Sequence, residues 1–461
     1  MLSIPHAPWP VATAASLVAL TAAVLAMPVD ISARLAILAF GAAAICWAIA
    51  PLGPGIVAVG AVVFLVMSGA APQATLAGAL HSDIIWLMIG AFVLGEAIVT
   101  TGLATRLTRS IASRAQRVDH LFWLVSAALL LLTFVIPSTS GRAAIALPLH
   151  RSLAEAMDSR AASRALALLI PIVILVTTIA ALTGAGSHLI ANDLLAQSAG
   201  RPISALAWMI HGLPFAVIAG ALSCWMVLKV FLTTHQRTAS IAVPPGHHQS
   251  WSRGERTVAT IAAVMICLWL TEAWHGLPAA AVAMLGALAL ISPAGALNWR
   301  AGLRAMSWDL VLVIVAALIL GRALIDTGAA NWLSSQAFAA MGFSSSMTSL
   351  IIIAGIAGIT LASHLVMTSH TTRTVVLVPP LIVLAESLDV DPTAVVFIGT
   401  AGMNYCLTLP MSSKALLVFQ GPPNGAGPAD LLRISALLGP LHLILIVVFY
   451  FGYWRWVGLA L

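Results

Sequence analysis

Two stretches carry polar side chains where the surrounding sequence is almost purely apolar. "PSTSGRAAIALP" (137–148) places Ser138, Thr139, Ser140 and Arg142 between long hydrophobic runs. "TSHTTRTVVLVPP" (368–380) repeats the outline with Ser369, His370, Thr371 and Arg373. Ser138 and Ser369, Arg142 and Arg373, and Pro148 and Pro379 fall in one register. Hydroxyls and small residues at a chain reversal expose backbone groups to a solute. An arginine adds charge in a planar fork that fits a carboxylate or another oxyanion. These residue types suit anion binding.

The elements that must hold them follow from composition. The chain has 461 residues, 61% hydrophobic and 8% charged, against about 45–50% apolar and about 25% charged for a soluble domain. Solid apolar runs recur at about the 20 residues a helix needs to cross hydrocarbon. They lack the alternation of a membrane β-barrel. The expected fold class is therefore an all-α polytopic membrane protein. Its spans are expected near 11–27, 31–50, 53–70, 84–104, 165–190, 207–231, 256–274, 277–292, 308–326, 393–420 and 434–456. Residues 1–10 contain no Lys or Arg, so 11–27 reads as a first span rather than a cleaved signal.

Charge sets orientation. The net charge of +6 is confined to connecting segments, which argues for the lipid bilayer and not for nucleic acid as partner. Arg106, Arg109, Arg114 and Arg117 precede the first polar stretch, and Arg151, Arg160 and Arg164 follow it. Both connections are expected in the cytoplasm, so 120–150 enters and leaves on one side as a re-entrant hairpin with its tip at 137–142. The linker 232–255 and segment 293–307 fall inside, while 327–345, without Lys or Arg, falls outside. The second hairpin, 346–382, then enters from outside. The N-terminus is expected in the cytoplasm of a bacterial inner membrane and the C-terminus outside.

Repetition supports two halves. "DIIWLMIGAFVLGEAIVTTGLATRL" (83–107) aligns without gaps to "DLVLVIVAALILGRALIDTGAANWL" (309–333), pairing Asp83 with Asp309, Thr101 with Thr327 and Gly102 with Gly328. The expected organisation is a first span in 1–30, repeat 1 over 31–231, the linker 232–255 and repeat 2 over 256–461. With five spans and a hairpin per half, the second repeat is inverted. Inverted repeats with broken helices near the midplane are the mark of a secondary transporter, and non-helical backbone is tolerated at that depth where it lines a cavity.

Here the sequence resembles the divalent-anion/sodium symporter family, the dicarboxylate, citrate and sulfate carriers. That family places Ser-Asn-Thr at each hairpin tip. The matching triplets are Ser138-Thr139-Ser140 before Leu147-Pro148 and Ser369-His370-Thr371 before Val378-Pro379. The resemblance puts the family's unwound helices at "TGAGSHLIAND" (183–193) and "LPMSSKALLVF" (409–419). It thereby adds Ser187, His188, Ser412, Ser413 and Lys414 to the substrate-binding set. It also implies a homodimer and candidate sodium positions at Ser138, Thr139, Ser369 and Thr371. Both motif asparagines are absent, replaced by Thr139 and His370, while Arg142, His188, His370, Arg373 and Lys414 bring cationic or protonatable groups to the same places. We therefore expect a carrier of small divalent anions that needs no organic cofactor, works without sodium and runs by exchange or proton coupling.

Other readings were weighed on the same residues. Glu96 and Arg322 align between repeats and suit structural pairing. His247 and His248 fall short of a zinc set. Cys46, Cys224, Cys267 and Cys406 show neither metal nor disulfide spacing. "GPPNGAGP" (421–428) reads as a turn, and Trp residues near span ends read as an interfacial belt. An intramembrane hydrolase built on Ser187-His188 is disfavoured because neighbours on a helix point about 100° apart. A channel, or a permease for arsenite-like oxyanions, is the remaining rival.

Overall fold

The computed structural model describes residues 9–50, 52–75, 82–157, 159–200, 202–241, 250–292, 295–306, 308–330, 332–333, 336, 348–367, 369–409, 412–420 and 426–461. Most of the 329–345 connection, the paired His247 and His248 and most of "GPPNGAGP" lie outside them. The first half runs through α1 (Trp9–Leu25), α2 (Ile31–Ile49), α3 (Pro54–Met67), α4 (Asp83–Thr100), α5 (Leu103–Ala112), α6 (Val118–Leu132), α7 (Thr139–Ala156), α8 (Arg160–Val176), α9 (Gly186–Ala199) and α10 (Ala205–Phe231). The second runs through α11 (Arg253–Leu270), α12 (Ala279–Ile291), α13 (Trp299–Ala305), α14 (Trp308–Asp326), α15 (Ser349–Ala362), α16 (His370–Ser387), α17 (Pro392–Met403), α18 (Lys414–Val418) and α19 (Pro428–Gly452).

Among the described residues, three helical stretches are long and apolar enough to cross a membrane by length and composition: Arg160–Ala180, Ala205–Phe231 and Pro428–Trp456. Shorter apolar helices surround them. Large apolar side chains point outward along many helices, among them Val63, Leu131, Ile218, Val264, Leu285, Ile351 and Val448. In water such a surface would drive association; in a bilayer it faces lipid. Conversely, α8 buries almost its whole length, packed against α6, α7, α10 and α18.

Local signals explain where helices stop. Gly102 and Gly328 adopt φ of +77° and +71°, the left-handed conformation that closes a helix end and that glycine adopts without a Cβ penalty. The preceding threonines bond back one turn, Thr101 Oγ1 to Ala97 O at 2.7 Å and Thr327 Oγ1 to Ala323 O at 2.6 Å. The residues aligned in sequence thus terminate α4 and α14 in the same way.

Packing also comes in exchanged pairs. α4 lies against α12 and α14 against α3; α6 packs on α8 and α15 on α17; α9 packs on α16 and α18 on α7. Helices α6–α10 with α15–α19 form one group; the other is made of two parts, α1–α3 with α14 and α4 with α11 and α12, joined where α4 meets α14. The two groups meet where α14 touches α9 and α16, α4 touches α9, α2 touches α16 and α11 touches α10.

Each polar stretch opens the second of two successive helices. α6 and α7 have 15 and 18 residues; α15 and α16 have 14 and 18. The first connection occupies 133–138, and the residues expected at a hairpin tip, 137–142, straddle its end and the start of α7. Gly141 and Arg142 already belong to the first turn of α7, because Ser138 caps it by accepting from the Gly141 N–H at 3.1 Å. Ser369 caps α16 likewise, accepting from the Thr372 N–H at 3.4 Å.

The apolar runs 165–190 and 393–420 are each broken. After Val176, two short 3-10 turns at Thr178–Ala180 and Leu182–Gly184 lead to α9. After Met403 the chain leaves the helix over 404–409, and α18 begins at Lys414. The first interruption begins ahead of the 183–193 window because its partners lie elsewhere in the fold. The Trp208 indole N–H donates to Ile179 O at 3.0 Å, and Gly212 leaves room for that carbonyl.

Candidate functional site

Both polar stretches and both breaks converge on one cavity of about 380 Å³. Pro137, Ser138, Thr139 and Ser140 line it from the first hairpin, and Ser369, His370, Thr371 and Thr372 from the second. Ala185, Gly186 and Ser187 come from the first break, and Ser412, Ser413 and Lys414 from the second. Pro54, Phe92, Asp309 and Val313 close it from α3, α4 and α14.

Three of these contributors are the N-terminal turns of full helices, α7, α9 and α16. Helix starts carry unpaired N–H groups and the positive end of the helix dipole, so they favour negative charge. Lys414 adds a cation with exposure to solvent and has no ion pair among the described residues. The buried hydroxyl oxygens of Ser187 and Ser412 and both ring nitrogens of His370 lack hydrogen-bond partners among the described residues. Such groups are costly to leave unpaired, and a ligand seated in the cavity would engage them.

Ten of the thirteen residues singled out in the sequence line this cavity. Arg142, Arg373 and His188 do not; they are fully buried behind its wall. The Arg142 guanidinium donates to Thr133 Oγ1 in the first hairpin reversal and, at 2.9 Å, to Gly184 O in the first break. Arg373 donates to Tyr405 O in the second break at 3.1 Å. Each arginine therefore ties its own hairpin to the broken helix beside it. His188 joins the two breaks: Nδ1 lies 3.1 Å from Ala181 O and Nε2 lies 3.1 Å from the Asn404 side-chain amide. Since Ala181 O can only accept, Nδ1 carries the proton and donates to it, while Nε2 faces Asn404 Oδ1.

Sequence reading passed over several participants. Asp309, aligned with Asp83 between the repeats, lines the cavity. Phe92, Val313 and Pro54 carried no signal at all, being apolar residues among apolar residues. Asn404 and Tyr405 were detectable in principle as polar groups inside an apolar run. The Tyr405 hydroxyl bonds Ser435, which meets Thr408 at 2.5 Å, and Thr408 lies 2.6 Å from His364 Nε2. This chain anchors the second break and the second hairpin to α19. No group of three or more metal-ligating side chains occurs among the described residues.

Comparison with known proteins places this architecture. The chain is 24% identical over 390 residues to a membrane protein of Cupriavidus necator, covering 81% of this chain and 74% of that one. It is 19% identical over 390 residues to the citrate/succinate antiporter of Escherichia coli K12, covering 80% and 77%. Among solved structures, the YdaH transporter of Alcanivorax borkumensis superposes with a TM-score of 0.59 at 16% identity, over 85% of this chain and 89% of that one. MtrF of Neisseria gonorrhoeae, described within a class of antimetabolite efflux pumps, gives 0.56 at 12% identity over 98% and 96%. At these identities the structural likeness speaks for the fold. The sodium:sulfate symporter transmembrane region matches residues 10–460. The chain thus belongs to that family of integral membrane transporters, and it is a transporter rather than an enzyme.

Proposed function

We propose that this protein carries small divalent or polyvalent anions, such as dicarboxylates, across the bacterial inner membrane by alternating access, in sodium-independent exchange. The observation that carries this reading is the convergence on one cavity of both hairpin reversals, three helix N-termini and the cation of Lys414. Every one of these features lowers the energy of an anion. The name of the Escherichia coli relative, a citrate/succinate antiporter, agrees with it.

The sodium-independent part rests on Arg142 and Arg373. In the resembling family, sodium is expected to bind between hairpin tip and unwound helix. Here a guanidinium bridges Thr133 and Gly184 O, and another reaches Tyr405 O. A fixed cation already supplies the charge and the cross-tie, leaving Ser138, Thr139, Ser369 and Thr371 to the solute. The reading includes two inverted repeats, a homodimer, a cytoplasmic N-terminus and an external C-terminus. By the Arg distribution, the starts of α3 and α14 lie on the cytoplasmic side. A cavity that reaches Pro54 and Asp309 then corresponds to an inward-facing state.

The test is uptake of labelled succinate into liposomes holding the purified protein, with citrate and sulfate as competitors. Half the liposomes are preloaded with unlabelled dianion, and each set is run with and without a sodium gradient. Uptake that needs internal dianion and ignores sodium is expected. Sodium-driven uptake into empty liposomes would overturn exchange and return the protein to symport of sulfate or a related oxyanion.

A further inference from the structure

One wall of the cavity has the wrong sign for a simple anion. Asp309, in the first turn of α14, is the single acidic side chain lining it among the described residues, and Lys414 is the single lysine or arginine. The Asp309 side chain is exposed and makes no hydrogen bond or ion pair among the described residues. Its position is tightly set. A methyl group added at Gly55 of α3 would lie 2.5 Å from Asp309 Oδ1, so glycine is what lets the carboxylate sit there.

An acid in the first turn of a helix has a plain explanation, compensation of the helix dipole. Asp83 opens α4 in the same manner without lining the cavity. Asp309 differs in facing a space otherwise walled by hydroxyls, helix starts and a lysine. A solute with acceptors alone, such as succinate or sulfate, would meet those donors well and meet Asp309 as a like charge. A solute that also carries a hydrogen-bond donor would use both walls.

We propose that Asp309 selects anions bearing a donor group, a hydroxyl or an amine, which it accepts while the hairpin side holds the carboxylates. This deepens the anion-carrier reading and rests on it. The geometry is polarised accordingly. Ser138, Ser369 and Lys414 stand on the elements that also bear the hairpin reversals and breaks, and Asp309 stands on α14 in the other packing group. The donor–carboxylate bond therefore forms across the seam that alternating access has to open. A ligand using both walls holds that seam together, and one lacking the donor does not.

The experiment is competition against uptake of labelled malate into dianion-loaded liposomes, with unlabelled succinate, malate and aspartate as inhibitors. These differ at one carbon by hydrogen, hydroxyl and ammonium. Malate or aspartate is expected to inhibit at least about tenfold better than succinate, short of the about 10⁴-fold discrimination of a fully desolvated hydrogen-bonding site. The two arms decide whether hydroxyl or amine is the donor. Asp309→Ala should bring the ratio to about one, chiefly by improving succinate, and Gly55→Ala should reduce it by displacing the carboxylate. Asp309→Asn covers the event that the alanine variant fails to fold; it keeps an acceptor without the charge and should retain part of the preference. Equal inhibition by all three in the wild type, or a preference that survives Asp309→Ala, would overturn the proposal while leaving the carrier intact. Absence of any carboxylate uptake would overturn both.

Discussion

At the residue scale, the cations divide by what they touch. Lys414 reaches the cavity; Arg142 and Arg373 reach protein carbonyls. Lys414→Met should therefore raise the KM for the transported anion about tenfold, the worth of one charge-assisted hydrogen bond, with little change in Tm. Arg142→Met should do the reverse. It leaves Thr133 and Gly184 O without their donor inside the bundle, costing about 2–4 kcal/mol. Arg142→Lys should not restore it, because a single ammonium replaces a fork that serves two acceptors. Thermal unfolding in detergent beside transport kinetics separates the two; a Lys414 variant as unstable as the Arg142 variant would contradict this division. The sequence marked all three cations because a charge inside an apolar run is costly and rarely idle. It could not say which face cavity and which face backbone, since that depends on how far each side chain reaches into the neighbouring break. Asp309 was overlooked for a related reason: beside Trp308 at the start of an apolar run, an aspartate reads as a helix-start residue.

At the element scale, the reversals and breaks were legible to different degrees. The hairpins announce themselves by Ser caps, Pro and Gly within otherwise apolar sequence. The first break does not. "VTTIAALTGAG" (176–186) contains no helix breaker before Gly184, and it unwinds because tertiary partners take its carbonyls. Trp208 claims Ile179 O, Arg142 claims Gly184 O and His188 claims Ala181 O. Its close packing gives a sharp expectation. A Cβ on Gly184 would press into the Thr178 carbonyl and the Thr133 methyl group, and backbone cannot yield as a side-chain tip can. Gly184→Ala should therefore cost about 4 kcal/mol, in the range of disruptive core changes, and lower the melting temperature sharply. By contrast, Ser138→Ala removes one cap and should cost about 1 kcal/mol while leaving transport measurable. Melting temperatures of the two variants in the same detergent check the ranking.

At the scale of the whole molecule, two packing groups share one cavity, and each contributes lining that the other lacks. The hairpin-bearing group supplies the hydroxyls, helix starts and Lys414; the other supplies Pro54, Phe92, Asp309 and Val313. Contacts between the groups are made by α14, α4 and α2 on α9 and α16 and by α11 on α10, and a rigid movement of one group past the other would change which side of the membrane reaches the solute. That places the moving boundary between Val313 on α14 and the hairpin residues opposite. A pair of cysteines at Val313 and Thr139, in a background where Cys46 and Cys267 are replaced, should be joined by a short bifunctional maleimide across the cavity. The linked protein should bind anion and fail to exchange it. The single Thr139→Cys variant should react with an impermeant maleimide from the cytoplasmic face when the cavity is as described here, and saturating dianion should slow that labelling. If the cross-linked pair still exchanged anion at the unlinked rate, the two groups would not move past each other at this seam. Alternating access would then have to be sought within the hairpin-bearing group itself.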